Sequence, residues 1–484
     1  MNLKMMGYYI SMLLAVEGLF MFPALILCFA DGDSHAGFAF LYTMLITTAI
    51  VGILQLLCRK RPSKGFYERE GMVCVGLGWT IISILGCLPF CFSGEIPHFI
   101  DALFEIVSGF TTTGATILTD VEVISRGLLY WRSFSHWLGG MGVLVFLLAI
   151  APLGGKGGFT IHILRAESTG PNVGKLVPKM RQTASILYLL YILLTVLNLI
   201  FLLIGGMPFF EALCIAMGTA GTGGFGTYND SIASYTPYLQ GVCTVFMALF
   251  GVNFGCYYLL LLGDFRRFIR NNELRMYIAI LLLSTLLISI NIRDFYPTFW
   301  QAFHHSAFQV SSIMTTTGFA TANFDLWPSF SKAILLALMF IGACAGSTGG
   351  GFKCGRALIL LKSLRRSIHK VLNPQKVEVI QTDDGFLDED VISKTASYLS
   401  AYVIIMLVSF LAISIDGFSF TTSFSAVTAC FNNIGPGFDM VGPIGNFSEF
   451  SIFSKLVLIF DMLAGRLEIF PMLMIFSRRT WRKY

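Results

Sequence analysis

Met314-Thr315-Thr316-Thr317-Gly318-Phe319-Ala320-Thr321 decides how this chain is read. The stretch is rich in hydroxyls and broken by a glycine, yet apolar sequence flanks it on both sides. Irregular backbone at membrane depth is tolerated only where it is buried in protein or lines a watery path. Three similar stretches occur in the same chain. Thr111-Thr112-Thr113-Gly114-Ala115-Thr116 and Thr222-Gly223-Gly224-Phe225-Gly226-Thr227 precede it, and a looser version, Asn432-Asn433-Ile434-Gly435-Pro436-Gly437, follows. Four such stretches imply a scaffold that brings them together around one axis.

Outward from these stretches, the 484 residues are 55% hydrophobic and 13% charged, with mean hydropathy +0.73. A soluble protein carries roughly a quarter charged residues, so this is an all-α integral membrane protein. Apolar runs of about 20 residues recur along the chain, the length that crosses a bilayer as helix. The net charge of +5 collects in a few loops and not on a basic face, so nucleic acid is not implied. Eleven cysteines occur without a CxxC pair and read as small buried hydrophobes. The first apolar run, residues 8–30, is too long for a signal-peptide core and is expected as a helix of the mature protein.

Two spans lead, residues 8–30 and 38–58, joined by Asp31-Gly32-Asp33 and followed by the basic Arg59-Lys60-Arg61-Pro62-Ser63-Lys64. Then a unit repeats: a span, a shorter apolar stretch, a Thr/Gly loop and a second span. The first unit has 71–92, 99–110, Gly114 and 128–150; the second has 186–204, 209–220, Gly224 and 238–262. The third has 276–290, 298–313, Gly318 and 332–352; the fourth has 395–415, 420–431, Gly435 and 453–476. The chain thereby divides into a leading pair (1–70) and four repeats, 71–182, 183–275, 276–394 and 395–484. The first two repeats also share an alanine, Ala102 and Ala212, twelve residues before the glycine. Such internal symmetry is the mark of a repeat architecture.

Charge orients the units. Lys156, Arg165, Lys175, Lys179 and Arg181 follow the first, Arg266, Arg267, Arg270 and Arg275 the second, and Lys362, Arg365, Arg366 and Lys370 the third. Arg478, Arg479, Arg482 and Lys483 close the chain. Opposite-side loops hold Arg126, Arg132 and Arg293 among acidic residues such as Asp120, Glu122, Asp230 and Asp325. The positive-inside rule puts the inter-unit loops and both termini in the cytoplasm, and every Thr/Gly loop enters from outside.

A stretch of 10–14 apolar residues is too short to cross and reads as re-entrant. Its carbonyl end, which carries partial negative charge, then aims at the membrane centre and favours a cation. Glycine suits a loop whose consecutive carbonyls face one side, because a Cβ disfavours those backbone angles. Four loops around one axis give stacked rings of oxygen able to replace the hydration shell of a monovalent cation. The expected ligands are Thr112, Thr113 and Gly114, then Thr222, Gly223 and Gly224, then Thr316, Thr317 and Gly318, then Asn433, Ile434 and Gly435.

These motifs, with Ser135-His136-Trp137-Leu138-Gly139-Gly140-Met141-Gly142 after the first filter, resemble the Trk/Ktr/HKT superfamily of potassium transporters, in its TrkH-type membrane subunits. The resemblance covers essentially the whole chain, including the two leading helices. It implies K+ as the transported ion, with no organic cofactor, and selection for potassium because glycine stands at all four filter positions. Gly223 departs from its siblings, where threonine stands. The resemblance also implies a bacterial cytoplasmic-membrane location, a homodimer, and a cytoplasmic RCK-type nucleotide-binding regulatory subunit docked in part on residues 361–394.

Two features read as a gate. Gly346, Ser347, Thr348, Gly349, Gly350 and Gly351 interrupt the last span of the third unit. Each glycine costs about 1 kcal/mol in a helix interior relative to alanine, so the helix is expected to break. The resemblance implies a loop that obstructs the pore beneath the filter. Arg466, inside the last span, is an intramembrane charge and so a functional candidate. A cation 4 Å from it is repelled by about 4 kcal/mol at an effective dielectric of 20. Lys353, which ends the glycine loop, is a further positive candidate or a membrane anchor. His304 and His305 need only helix packing.

Enzyme activity is not expected, because no nucleophile elbow, phosphate loop or metal-spaced cluster occurs. Gly346 to Lys353 lacks the Lys-Ser/Thr ending of a phosphate loop, and Gly221-x-Gly223-x-x-Gly226 follows no strand. The competing reading is a sodium- or proton-coupled secondary carrier, whose inverted repeats conflict with four units of parallel orientation.

Overall fold

Pro23 and Asp33 shape the start of the chain. The first leading helix runs as Leu3–Phe20 and Phe22–Ala30, with the break where the Pro23 ring opposes the preceding turn. Asp33 then caps Ser34–Leu57 by accepting from the Ala36 amide at 3.1 Å. The structure, a computed structural model, describes residues 1–59, 67–142, 180–375, 378–382 and 385–482. The basic residues Lys60, Arg61 and Lys64, the group from Lys156 to Lys179, Lys483, and the acidic Asp383 and Asp384 lie outside that set.

Four times thereafter the chain sets down an entry helix, a short helix, a loop and a closing helix. The entry helices are Glu68–Gly86 with Leu88–Ser93, Met180–Ile204, Asn272–Asn291 and Glu389–Ile413. Among the described residues six helical stretches are long and apolar enough to cross a membrane, the leading pair and these four. About a third or less of the apolar window is buried in each leading span and in three of the entry helices, against 67% in Glu68–Ser93, so all but Glu68–Ser93 present a wide lipid-facing side. The short helices are Phe99–Phe110, Phe209–Gly221, Phe299–Met314 and Phe420–Phe431, of 12, 13, 16 and 12 residues. At 1.5 Å per residue they reach about 18–24 Å, short of a 30 Å hydrocarbon layer. Their second halves are buried almost throughout, Phe104 to Phe110 and Phe308 to Met314 included.

The closing helices differ from the sequence reading. That reading breaks only the third, which does stop at Ser329–Ile341 and resume as Cys354–Leu372. The second is broken too: Pro237–Phe250 and Phe254–Leu261 meet at 89°. Gly251 backs onto Tyr277 and Thr315, leaving no room for a Cβ, and Asn253 caps the new helix by accepting from the Gly255 amide at 2.8 Å. The fourth breaks between Ile452–Arg466 and Phe470–Phe476, with Glu468 and Ile469 at φ 61° and 67°. Pro471 has no amide hydrogen with which to continue the ladder. The first closing helix is Arg126–Gly140 and stops short of the expected residue 150, with Gly142 at φ 81°; residues 143–150 fall outside the described residues.

Arg132 also moves. The sequence reading puts it in a loop, but it sits in the second turn of Arg126–Gly140, 3% exposed, against Glu105. All eleven cysteines are free thiols and ten are buried, in keeping with small apolar packing.

Candidate functional site

The four short helices end in the same way. Thr112, Thr222, Thr316 and Asn433 take left-handed backbone angles, φ 54–58°, and so, two residues on, do Gly114, Gly224, Gly318 and Gly435, φ 78–94°. Each loop closes its helix with the same bond: Thr113 to Ser108, Gly223 to Gly218, Thr317 to Ser312 and Ile434 to Ala429, amide to carbonyl at 2.8–2.9 Å. This six-to-one closure with a left-handed cap satisfies carbonyls that a helix end otherwise leaves open. Threonine and asparagine at a left-handed position are strained or tolerated only locally. Their fourfold recurrence therefore marks a shape imposed by the assembly.

The loops form a closed ring. A Cβ on Gly114 would press on the Gly223 carbonyl oxygen, one on Gly224 on Thr317, one on Gly318 on Ile434, and one on Gly435 on Thr113, at 2.7 Å or closer in every case. Each glycine thus faces the carbonyl of the next loop, in the order first, second, third, fourth and back to the first. Asn433 reinforces that last joint, its Nδ2 donating to Thr113 Oγ1 at 3.0 Å and to the Met462 carbonyl at 2.9 Å. All four glycines line one cavity of about 170 Å³. In the first and third loops the threonine hydroxyls pair, Thr111 with Thr113 at 2.8 Å and Thr315 with Thr317 at 2.7 Å.

Gly223 is glycine because His136 occupies its side-chain space. The imidazole of this closing-helix residue lies where a Cβ would stand, packs at a tilt on Phe225 with centroids 4.1 Å apart, and holds the Gly109 carbonyl through Nδ1 at 2.8 Å. The second loop keeps the backbone of its siblings despite the missing hydroxyl.

Beneath the ring, residues 342–353 fold back against the short-helix ends. Gly350 donates its amide to Thr316 Oγ1 at 2.6 Å, and side chains at Gly349 and Gly350 would press on the carbonyls of Thr315 and Asn432. The segment is tied to the broken second closing helix by Cys344 N to Gly251 O at 3.1 Å and Phe254 N to Gly346 O at 3.0 Å. Ser347 bonds the Cys344 carbonyl, Thr348 Oγ1 the Phe250 carbonyl, and Gly351 turns the chain at φ 76°. Lys353 is 1% exposed and its ammonium donates to the Gly349 carbonyl, so it belongs to the loop itself and does not anchor in a headgroup layer.

Arg466 joins three repeats. It donates to the Thr348 carbonyl at 2.8 Å and to those of Gly139 and Gly140 at 2.5 and 2.6 Å. The last two belong to the carbonyl end of the first closing helix, a favourable place for a cation. Gly139 and Gly465 each sit against the last residue of their own short helix, Phe110 and Phe431, so Arg466 stands where the first repeat has Gly140. Of its two local acids, Asp461 accepts from Ser409 at 2.7 Å and Glu468 pairs with Arg356.

The model of a family described as TrkH, cation transport protein, matches residues 36–483. This chain belongs to the TrkH family. Over 475 residues, 96% of each chain, it is 36% identical to the Trk system potassium uptake protein TrkH of Salmonella typhimurium. It is 33% identical over 454 residues, 92% of each chain, to the Trk system potassium uptake protein TrkG of Escherichia coli. The crystal structure of the potassium transporter TrkH from Vibrio parahaemolyticus superposes with TM-score 0.89 at 30% identity, covering all of both chains.

In this TrkH-family chain, sequence reasoning missed Glu105, Arg132 and the part played by His136. A carboxylate inside a 12-residue apolar helix was the available signal, since an ionisable group at that depth is functional by default. Gly223→Thr, the residue that the first and third loops carry, is expected to destabilise the protein by about 1–3 kcal/mol through overpacking. His136→Ala in that background is expected to recover part of the loss. Thermal unfolding of the detergent-purified variants checks this, and a double variant no more stable than the single one would refute the packing account.

Proposed function

We propose that this chain takes up potassium across the cytoplasmic membrane through a filter made by the four loops. The observation that carries the reading is the closed ring in which each filter glycine faces the next loop's carbonyl and all four line one cavity. The names of its relatives, Trk system potassium uptake proteins, agree with it. The ligands are the backbone and hydroxyl oxygens of Thr112 to Gly114, Thr222 to Gly224, Thr316 to Gly318 and Asn433 to Gly435. Ring carbonyls replace water around the ion, and four short-helix carbonyl ends lower its energy at mid-membrane.

The gate is the segment from Gly346 to Gly351 with Lys353, latched by Arg466. Its hydrogen bond to Thr316 and its close packing on Asn432 support a closed position directly under the ring. The termini lie in the cytoplasm, the chain forms a homodimer, and a nucleotide-binding regulatory subunit engages the cytoplasmic face. For the subunit, the segment 361–394 offers Lys362, Arg365, Arg366 and Lys370 beside exposed Leu361, Leu364 and Ile368.

Expression in a cell lacking its own potassium uptake is the direct test. Growth at limiting potassium is expected to return, and to return more fully when the cytoplasmic partner is co-expressed. Rescue by sodium in place of potassium, or no rescue by a chain that reaches the membrane, would overturn the reading.

A further inference from the structure

One ion pair braces two of the four loops from behind. Glu105 lies on the first short helix, nine residues before Gly114, and is fully buried. Its carboxylate accepts from Arg132 Nε at 2.6 Å, from Thr116 Oγ1 at 3.0 Å and from the Ile117 amide at 2.9 Å. Arg132 in turn donates through Nη1 to the Gly226 carbonyl at 3.2 Å, and its guanidinium carbon lies 3.6 Å from the centre of the Phe225 ring. Thr116 and Ile117 belong to the limb that leaves the first loop, Phe225 and Gly226 to the limb that leaves the second. A single buried pair therefore fixes two adjacent limbs to each other and to the first closing helix.

The brace is particular to this side of the ring. The positions nine residues before the other filter glycines are Ile215, Gln309 and Ala426. Gln309 reaches its own loop with one neutral bond, Nε2 to the Ala322 carbonyl at 3.3 Å, and the other two carry no polar group. Charge-assisted bonds are shorter and about twice as strong as neutral ones, and arginine's planar fork fixes direction as well as distance. The first and second loops are thus tied to each other by a buried charged pair, whereas the limbs of the third and fourth are held by neutral bonds, Ser312 Oγ to the Phe319 carbonyl at 2.6 Å and Ser425 Oγ to the Phe438 backbone at 3.0 and 3.1 Å.

We infer that Glu105 and Arg132 are positioning residues that set the ion selectivity of the ring. The inference rests on the filter reading above and adds to it a determinant that touches no ion. Sodium is smaller than potassium, so a ring discriminates against it only while its oxygens resist closing in. The braced limbs carry the chain out from the carbonyls of Thr113 and Gly223 and limit that movement on one half of the circle. Phe225, held between the Arg132 guanidinium and the His136 imidazole, passes the same restraint to the second loop.

The test compares tracer rubidium and sodium uptake in cells lacking other potassium uptake, with each variant's membrane abundance measured in parallel. Glu105→Gln and the double variant Glu105→Gln/Arg132→Gln are expected to lower the rubidium-over-sodium ratio about tenfold, as loss of a charge-assisted bond would. Thr116→Val, which removes only a hydroxyl, is expected to lower it about threefold. A merely structural role would reduce both ions alike and leave the ratio unchanged. Gly318→Ser runs beside them as the filter control. An unchanged ratio in the brace variants, with a fall in Gly318→Ser, overturns the brace and spares the filter. No change in any of them overturns the filter reading, and the brace with it. Where the Glu105 variants fail to reach the membrane, Thr116→Val and Phe225→Leu decide by the same ratio.

Discussion

Gly318→Ser is expected to lower the potassium-over-sodium flux ratio by about tenfold or more, which corresponds to about 1.4 kcal/mol or more of lost discrimination. Two effects add. Gly318 sits at φ 88°, and an L-residue in left-handed backbone costs about 1–2 kcal/mol. Its new Cβ would also press on the Ile434 carbonyl and stand 3.0 Å from Pro436 Cδ. Ile434 belongs to the next loop, so relief of the clash turns an oxygen of the fourth quadrant as well as deforming the third. Selectivity depends on the number and spacing of ring oxygens, so it falls before conduction does. Gly241→Ala, in a closing helix with nothing within 4 Å of the added atom, is the matched control and is expected to leave the ratio alone. Competition between tracer rubidium and sodium measures both, and an unaltered ratio in Gly318→Ser would sink the filter assignment.

Arg466→Ala is expected to raise potassium flux roughly tenfold or more. The guanidinium holds the Thr348 carbonyl of the gate segment to the end of the first closing helix. Without it the segment loses a charge-assisted tie and the path below the ring loses a positive charge. Repulsion of about 2 kcal/mol at 8 Å and an effective dielectric of 20 is already about a thirtyfold effect. Arg466→Lys is expected to fall between, since an ammonium keeps the charge but cannot span three carbonyls as a fork does. Initial uptake rates at equal membrane abundance check the pair. Flux at or below the wild-type rate in Arg466→Ala would assign the residue to scaffolding.

Much of this architecture is legible in the sequence because its cause is local. Chain length alone makes Phe99–Phe110 and Phe420–Phe431 too short to cross, and a run of glycines breaks the third closing helix wherever it stands. Gly114, Gly224, Gly318 and Gly435 announce themselves because backbone handedness is a property of the residue. What stayed hidden depends on partners distant in the chain. Gly223 looked like a defect until the His136 ring was found in its place. Arg132 read as a loop charge because its position near a helix start fits either environment, and only the burial of Glu105 distinguishes them. The break at Glu468 and Ile469 has a local mark in Pro471, but its place is set by a distant partner: Glu468 is drawn out of the helix toward Arg356, and Ile469 follows at φ 67°. The direction of the ring, each glycine on the next carbonyl, is likewise a property of the assembly.

The three carbonyls gathered by Arg466 bear on how a gate of this kind responds to its surroundings. With the latch in place, Thr348, Gly139 and Gly140 share one guanidinium and need no solvent. Displacing the segment takes the Thr348 carbonyl off the guanidinium, and a carbonyl left unsatisfied at this depth costs several kcal/mol unless water reaches it. On the gating proposed above, opening draws water in beneath the ring, and the conducting form is the more hydrated one. Osmolytes excluded from that space would then favour the shut form, and the gate would register the water activity of the cell interior.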